Sequence, residues 1–142
     1  MPKPNVFVSH RWDYNAEYYS LVEKFDLYGL DHLDYSVPRH DPADANSVRA
    51  IARTLTEQVR QCNYFIIFAN RAVVNSRWCM HELQEAENFG KPILSINPYG
   101  YAGGTPPEIL AADNQGGPVG LHGPSIIRRI CITLNWPIPR GL

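Results

Sequence analysis

The stretch Tyr64-Phe65-Ile66-Ile67-Phe68-Ala69 is apolar at every position, and it constrains this chain more than any other feature. A strand with one wet face alternates apolar and polar side chains. A strand with no polar face needs cover on both sides, as at the centre of a parallel sheet. Parallel neighbours cannot be joined by tight hairpins; they need crossover connections, usually helices. The rest of the chain supplies both kinds of element. Asn5-Val6-Phe7-Val8-Ser9 reads as a buried first strand and Pro92 to Ile96 as a later one. Leu33 to Val37 reads as a weaker strand stopped by Pro38.

Helical periodicity fills the gaps. From Asn15 to Tyr28, residues Tyr18, Leu21, Val22, Phe25 and Tyr28 recur at three- and four-residue steps. Asn15 is placed to cap that helix and Gly29 to end it. Pro38 to Asn46 reads as a loop. Val48, Ile51, Ala52, Leu55, Val59 and Cys62 then form one face of a second helix, with Ser47 as its cap. Another helix runs from Arg77 to Phe89, capped by Ser76 and ended by Gly90. Fifteen of the 22 Pro and Gly residues fall after Asn97, so later elements are short. They are a helix at Pro107 to Ala112, a strand at Val119 to Leu121 and a helix at Ser125 to Leu134. Alternating strands and helices specify a single α/β domain over residues 1–134. Its five-stranded parallel sheet would carry helices on both faces, with a tail at residues 135–142.

Composition removes several functions. Thirteen basic and 14 acidic residues leave a net charge of −1. Non-specific nucleic-acid binding needs a basic excess, and so does attachment to an anionic membrane surface. No apolar run approaches the roughly 20 residues of a membrane span. The opening residues lack a signal-peptide pattern, and a cytoplasmic location is expected. The three cysteines, Cys62, Cys79 and Cys131, form no Cys-x-x-Cys pair and read as free buried thiols. The five histidines show no ligand spacing, so no metal site is expected.

In parallel sheets of this kind, ligands bind beyond the carboxyl ends of the strands, where strand order reverses. The segments there are His10 to Asp13, Arg39 to Ala43, Asn70 to Ser76 and Asn97 to Gly104. They gather imidazole, guanidinium, carboxylate and indole groups on one rim. Neither standard Gly-rich phosphate loop is present, nor a Gly-x-Ser-x-Gly elbow. Cys79 and His81 stand two apart on a helix and diverge. On that same helix Trp78 and Glu82 are four apart and share a face, while Cys79, Leu83 and Ala86 enter the core. Glu82 is therefore placed at the edge of the buried stripe, beneath the indole. A carboxylate partly removed from water is a stronger electrostatic actor than a solvated one. The pattern equally accommodates a surface carboxylate beside an anchoring tryptophan.

Three segments together carry a family likeness. Val6-Phe7-Val8-Ser9-His10, Asn75-Ser76-Arg77-Trp78-Cys79-Met80-His81-Glu82-Leu83 and Gly90-Lys91-Pro92-Ile93 resemble the signature segments of a Toll/interleukin-receptor (TIR) domain. The second loop, Tyr35 to Pro42, looks like that of stand-alone bacterial TIR-like proteins of the Thoeris anti-phage group. The resemblance implies a flavodoxin-like sheet and, in catalytic members, cleavage of NAD+ at the nicotinamide–ribose bond. It implies Glu82 as the catalytic carboxylate. It implies Ser9, His10, Arg11, Trp12, Ser36, Arg39, His40, Asp41 and Trp78 as substrate-binding residues. His10 stands where the family usually has an aromatic ring. NAD+ would be the substrate, with no further cofactor. The product would be ADP-ribose or a cyclic isomer, a diffusible signal for a separate effector, and the protein would be a homo-oligomer. Two other readings remain open: a non-catalytic protein–protein interaction module, and a nucleoside-processing transferase of similar topology. Glu82 favours the enzyme, since an adaptor needs no carboxylate there.

Overall fold

The apolar strand β3 (Tyr64–Phe68) does occupy the middle of a sheet, and all five of its residues are buried. The computed structural model describes residues 5–10, 16–29, 31–33, 45–97 and 104–142. The other strands are β1 (Asn5–Ser9), β2 (Asp31–Leu33), β4 (Ile93–Asn97) and β5 (Val119–Gly120). They form one five-stranded sheet in the order β2-β1-β3-β4-β5. Every pairing is parallel.

The helices are α1 (Ala16–Leu27), α2 (Ala45–Gln61), α3 (Arg71–Val74), α4 (Arg77–Asn88), α5 (Pro107–Ala112) and α6 (Gly123–Thr133). Helices α1 and α6 contact each other, as do α2 and α4. Right-handed crossovers put these pairs on opposite faces of the sheet. Register places Ser9 of β1, Ile67 of β3 and Ser95 of β4 in one row. Two residues back along the strands, Phe7 stacks on Phe65 with centroids 5.4 Å apart. The core is continuous across both layers, from Phe25 and Leu21 of α1 to Leu83 and Ala86 of α4. Among the described residues no helix is long and apolar enough to cross a membrane.

Several boundaries differ from the sequence reading. The described part of the second strand is Asp31–Leu33, paired with Asn5 to Phe7, so it begins two residues before the expected start at Leu33; residues 34–37 lie outside the described residues. An edge strand is held by backbone bonds, so its side chains need not be apolar. Helix α2 begins at Ala45, which puts Ser47 inside the first turn instead of at the cap. The apolar face first registers at Val48, so periodicity misses the exposed turn before it. The proposed Asn15 cap lies outside the described residues. Helix α3 was not foreseen, because a single turn has no periodicity; Asn70 caps it by accepting from the Val73 amide at 2.8 Å. Helix α6 starts two residues early, with His122 as its cap. Residues 135–142 lack helix and strand, yet Trp136 and Leu142 pack against the core.

Asp113 closes the α5–β5 connection. Its Oδ2 accepts from the amide and the hydroxyl of Ser95, each at 2.7 Å. Its Oδ1 accepts from the amides of Gln115 and Gly117. Gly117 fits only because it lacks a side chain. A Cβ there would stand 2.8 Å from the Ser95 carbonyl oxygen and closer still to the Asp113 carboxylate. Gly117→Ala is expected to destabilise by about 1–3 kcal/mol, the usual range for overpacking. Gly104→Ala, where a Cβ meets nothing within 4 Å among the described residues, should leave the melting temperature nearly unchanged. Thermal denaturation of the two variants checks the contrast.

Candidate active site

Strand order reverses at β1: β2 lies on one side of it and β3, β4 and β5 on the other. The crevice that such a reversal opens lies past the last residue of β1, which is Ser9. Helix α4 is brought to that point by a well-formed start. Ser76 takes extended geometry and its hydroxyl accepts from the Cys79 amide at 3.3 Å. Gly90, at φ +66°, supplies the left-handed turn just beyond the helix.

Two side chains on successive turns of α4 then reach the end of β1. The Cys79 thiol donates to the backbone carbonyl of His10 at 3.5 Å. The Ser9 hydroxyl donates to Glu82 Oε1 at 2.7 Å. Ser9 and Glu82 are each only 1% exposed. The reading of Glu82 as a solvated surface carboxylate is therefore overturned: helix and sheet together enclose a side chain that the helix alone would leave at the stripe's edge.

Burial governs the chemistry of this carboxyl group. Loss of hydration disfavours the charged form and pushes its pKa from 4.5 up to about 8, against the opposing pull of the Ser9 hydroxyl. Near neutral pH, Glu82 rests mostly as the neutral acid. It ionises when a positive charge is brought against it or when the pH rises.

His10 turns away from Ser9. Its ring stacks on Tyr18 of α1, with centroids 3.8 Å apart and planes 11° from parallel. Its Nδ1 lies 3.3 Å from the Val8 carbonyl oxygen. One face of the imidazole is thus covered by Tyr18. The sequence had no means of pairing these two rings. Trp78 is 4% exposed and packs with Leu55 against Val48, Ile51 and Ala52 of α2. Its indole Nε1 is enclosed without a hydrogen-bond partner. The Arg77 guanidinium lies 5.2 Å from the Trp78 ring centroid. His81 Nε2 lies 2.9 Å from the Thr56 hydroxyl, so it forms no dyad with Cys79.

Of the residues singled out in the sequence, Ser9, His10 and Glu82 meet at one strand end, and Trp78 stands one turn earlier on α4. Arg11, Trp12, Ser36, Arg39, His40 and Asp41 lie outside the described residues. Two surface hollows lie in the other layer. One, of about 370 Å³, is lined by Ser125, Arg128, Arg129, Ile132 and Thr133 of α6. The second, of about 200 Å³, includes Lys24 and His122. Neither includes a residue of the Glu82 cluster. All three cysteines are buried, and none is in a disulfide. Among the described residues no group of His, Cys, Asp and Glu is arranged to hold a metal ion.

Residues 7–102 match the family model for the TIR-like domain of the Thoeris protein ThsB. No curated protein sequence matches the chain. Among solved structures, the chain resembles the CMP N-glycosidase BcmB of Clostridium botulinum. That likeness has a TM-score of 0.57 at 13% identity, covering 92% of this chain and 98% of that one. The chain also resembles the TIR domains of the activated Roq1 resistosome, which directly recognises the pathogen effector XopQ. Here the TM-score is 0.51 at 13% identity, over 94% of this chain and 69% of that one. At such identities the two structures speak for the fold.

The buried carboxyl predicts a stability signature. Between pH 4.5 and about 8 the folded protein holds a proton on Glu82 that the unfolded chain has released. Its contribution to stability is fully present below pH 4.5 and is lost as pH rises through about 8. Glu82→Gln removes the titration. Its melting temperature should gain on that of the native protein as pH rises from 5 to 9, which a series of thermal melts would read.

Proposed function

The chain belongs to the family of Thoeris ThsB TIR-like domains, and from that premise we propose that it cleaves NAD+ at the nicotinamide–ribose bond. The observation that carries this reading is the carboxyl group of Glu82, enclosed at the reversal point of the sheet and held there by Ser9. In NAD+ the bond between the ribose C1′ and the pyridinium nitrogen breaks with its electron pair going to nitrogen. Nicotinamide leaves neutral, and the ribose is left with oxocarbenium character. A fixed anion beside that sugar stabilises the transition state more than the ground state, which is the condition for acceleration. Glycosidases place carboxylates at such centres for the same reason. The leaving group needs no proton, so one carboxylate suffices and no metal takes part.

Water adding at C1′ loses a proton and gives ADP-ribose. A nucleophilic atom of the same molecule adding there gives a cyclic isomer instead. A pocket that folds the substrate back and excludes water favours the second route. Arg11 and Arg39 are assigned to the pyrophosphate and Trp12 to stacking on a ring, with Ser36, His40 and Asp41 lining the second loop. Since Tyr18 already covers one face of His10, Trp12 is the stronger stacking candidate. The product acts as a diffusible signal on a separate effector, and the enzyme works in the cytoplasm as a homo-oligomer. Trp78, packed on α2, serves this scheme as an anchor for the helix that bears Glu82.

A second reading is favoured by the neutral resting state of Glu82 and by the likeness to a CMP N-glycosidase. A carboxylic acid can protonate a neutral base as it leaves. The two reactions have opposite pH dependence. A cationic leaving group needs the carboxylate, whereas a neutral pyrimidine needs the acid. Purified protein at several concentrations, incubated with NAD+ and separately with CMP, distinguishes them by chromatography of the released base. The expected result is nicotinamide release that rises with pH and levels off above about 8. Glu82→Gln should lower it by about 10²–10³-fold, the scale of losing a main electrostatic stabiliser. Cytosine release that falls with rising pH would replace the NAD+ reading. No release from either substrate at any concentration would leave an interaction module.

A further inference from the structure

Among the described residues Ser9 is the one hydrogen-bond donor that bears on the Glu82 carboxyl group, and its hydroxyl is committed there. Both residues are 1% exposed, and the Oγ–Oε1 distance of 2.7 Å is short enough for a strong hydrogen bond to either form of the carboxyl group. A glutamate side chain has three torsions, and a carboxyl free to rotate would spend little time in a productive orientation. Fixing one oxygen fixes the plane of the group and therefore the place of the other. Among the described residues the hydrogen bond from Ser9 holds Oε1 alone, and Oε2 has no hydrogen-bond partner.

We propose that Ser9 is a positioning residue: its hydroxyl anchors Oε1 of Glu82 and thereby presents Oε2 to the ribose. The assignment rests on the proposed role of Glu82, and it moves Ser9 from substrate contact to the support of the reacting carboxylate. Two features separate this role from a purely structural one. First, the Cys79 thiol ties α4 to the His10 carbonyl independently, so the helix stays attached to β1 when the Ser9 hydroxyl is removed. Second, among the described residues burial and the Ser9 hydroxyl are the two causes acting on the Glu82 carboxyl. Removing the hydroxyl therefore leaves desolvation unopposed.

The test compares native protein, Ser9→Ala, Ser9→Thr and Glu82→Gln. The Glu82 carboxyl is titrated by infrared spectroscopy without substrate, with Glu82→Gln identifying its band. Nicotinamide release gives kcat and KM for NAD+ across pH. Ser9→Ala should move the titration midpoint alkaline by about one unit, the scale of losing one hydrogen bond to a charged group. Its kcat/KM at pH 7 should fall about tenfold, as the ionised fraction of the free enzyme does, with the pH profile displaced in step. Ser9→Thr, which keeps the hydroxyl, should restore both. If Ser9→Ala does not fold, Ser9→Cys, near in size and a weaker donor, takes its place. An unmoved midpoint overturns the proposal, and so does an unchanged kcat/KM beside a moved midpoint. Should native protein release no nicotinamide, the NAD+ reading itself fails. The infrared midpoint then still decides whether Ser9 holds Glu82.

Discussion

Taking a carboxyl group out of water carries a free-energy penalty that has to be met where the group sits. In this chain the group is Glu82, and what meets it among the described residues is a single hydroxyl from a residue 73 positions away. An ionised carboxylate has room for about four donors. One donor offsets only part of the lost hydration, so the group settles as the neutral acid. The arrangement depends on the sheet. Only when β1 and α4 are both fixed against β3 do Ser9 and Glu82 meet, and they meet at the reversal of strand order, where sheets of this kind open a crevice.

The end of β1 joins the two helical layers. Adjacent residues on an extended strand point to opposite faces. Ser9 faces α4 and bonds Glu82, while His10 turns to α1 and stacks on Tyr18. The His10 carbonyl is held in turn by Cys79. The end of β1 is therefore an anchored point, with contacts in both layers.

How much of this was legible in the sequence follows from the range of the forces involved. β3 was plain because burial on both faces leaves no polar position, and β1 because its apolar run is bounded by polar residues. Helix α4 was readable from Ser76 to Gly90 because cap, periodicity and terminator are all local. β2 begins two residues before its legible start because an edge strand is specified by backbone pairing with β1, which side-chain patterns do not record. The start of α2 was missed because its first turn faces water. Glu82 stood out as a carboxylate at the margin of a buried stripe, and that is as far as a single helix can be read. Its enclosure, its bond to Ser9 and the docking of Trp78 on Leu55 are contacts between distant segments. No periodicity encodes them, and the family likeness identified the residues without giving their geometry.

On the proposed reading, the neutral resting acid becomes part of the substrate's recognition. A pyridinium brought against Glu82 favours the ionised form, so binding and proton release are linked. The affinity for a cationic substrate then rises with pH up to the titration of the free group, by as much as tenfold per pH unit. A neutral nucleotide gains nothing from that linkage, since it offers the carboxylate no charge. The same burial that makes the anion costly in the empty site makes it effective once formed, because few water dipoles remain to screen it. A more exposed carboxylate would ionise readily and stabilise the fold at neutral pH. It would also act more weakly on the developing charge at the ribose. The enclosure of Glu82 thus gives up some stability near neutral pH for electrostatic strength at the sugar, and the Ser9 hydroxyl sets how much is given up.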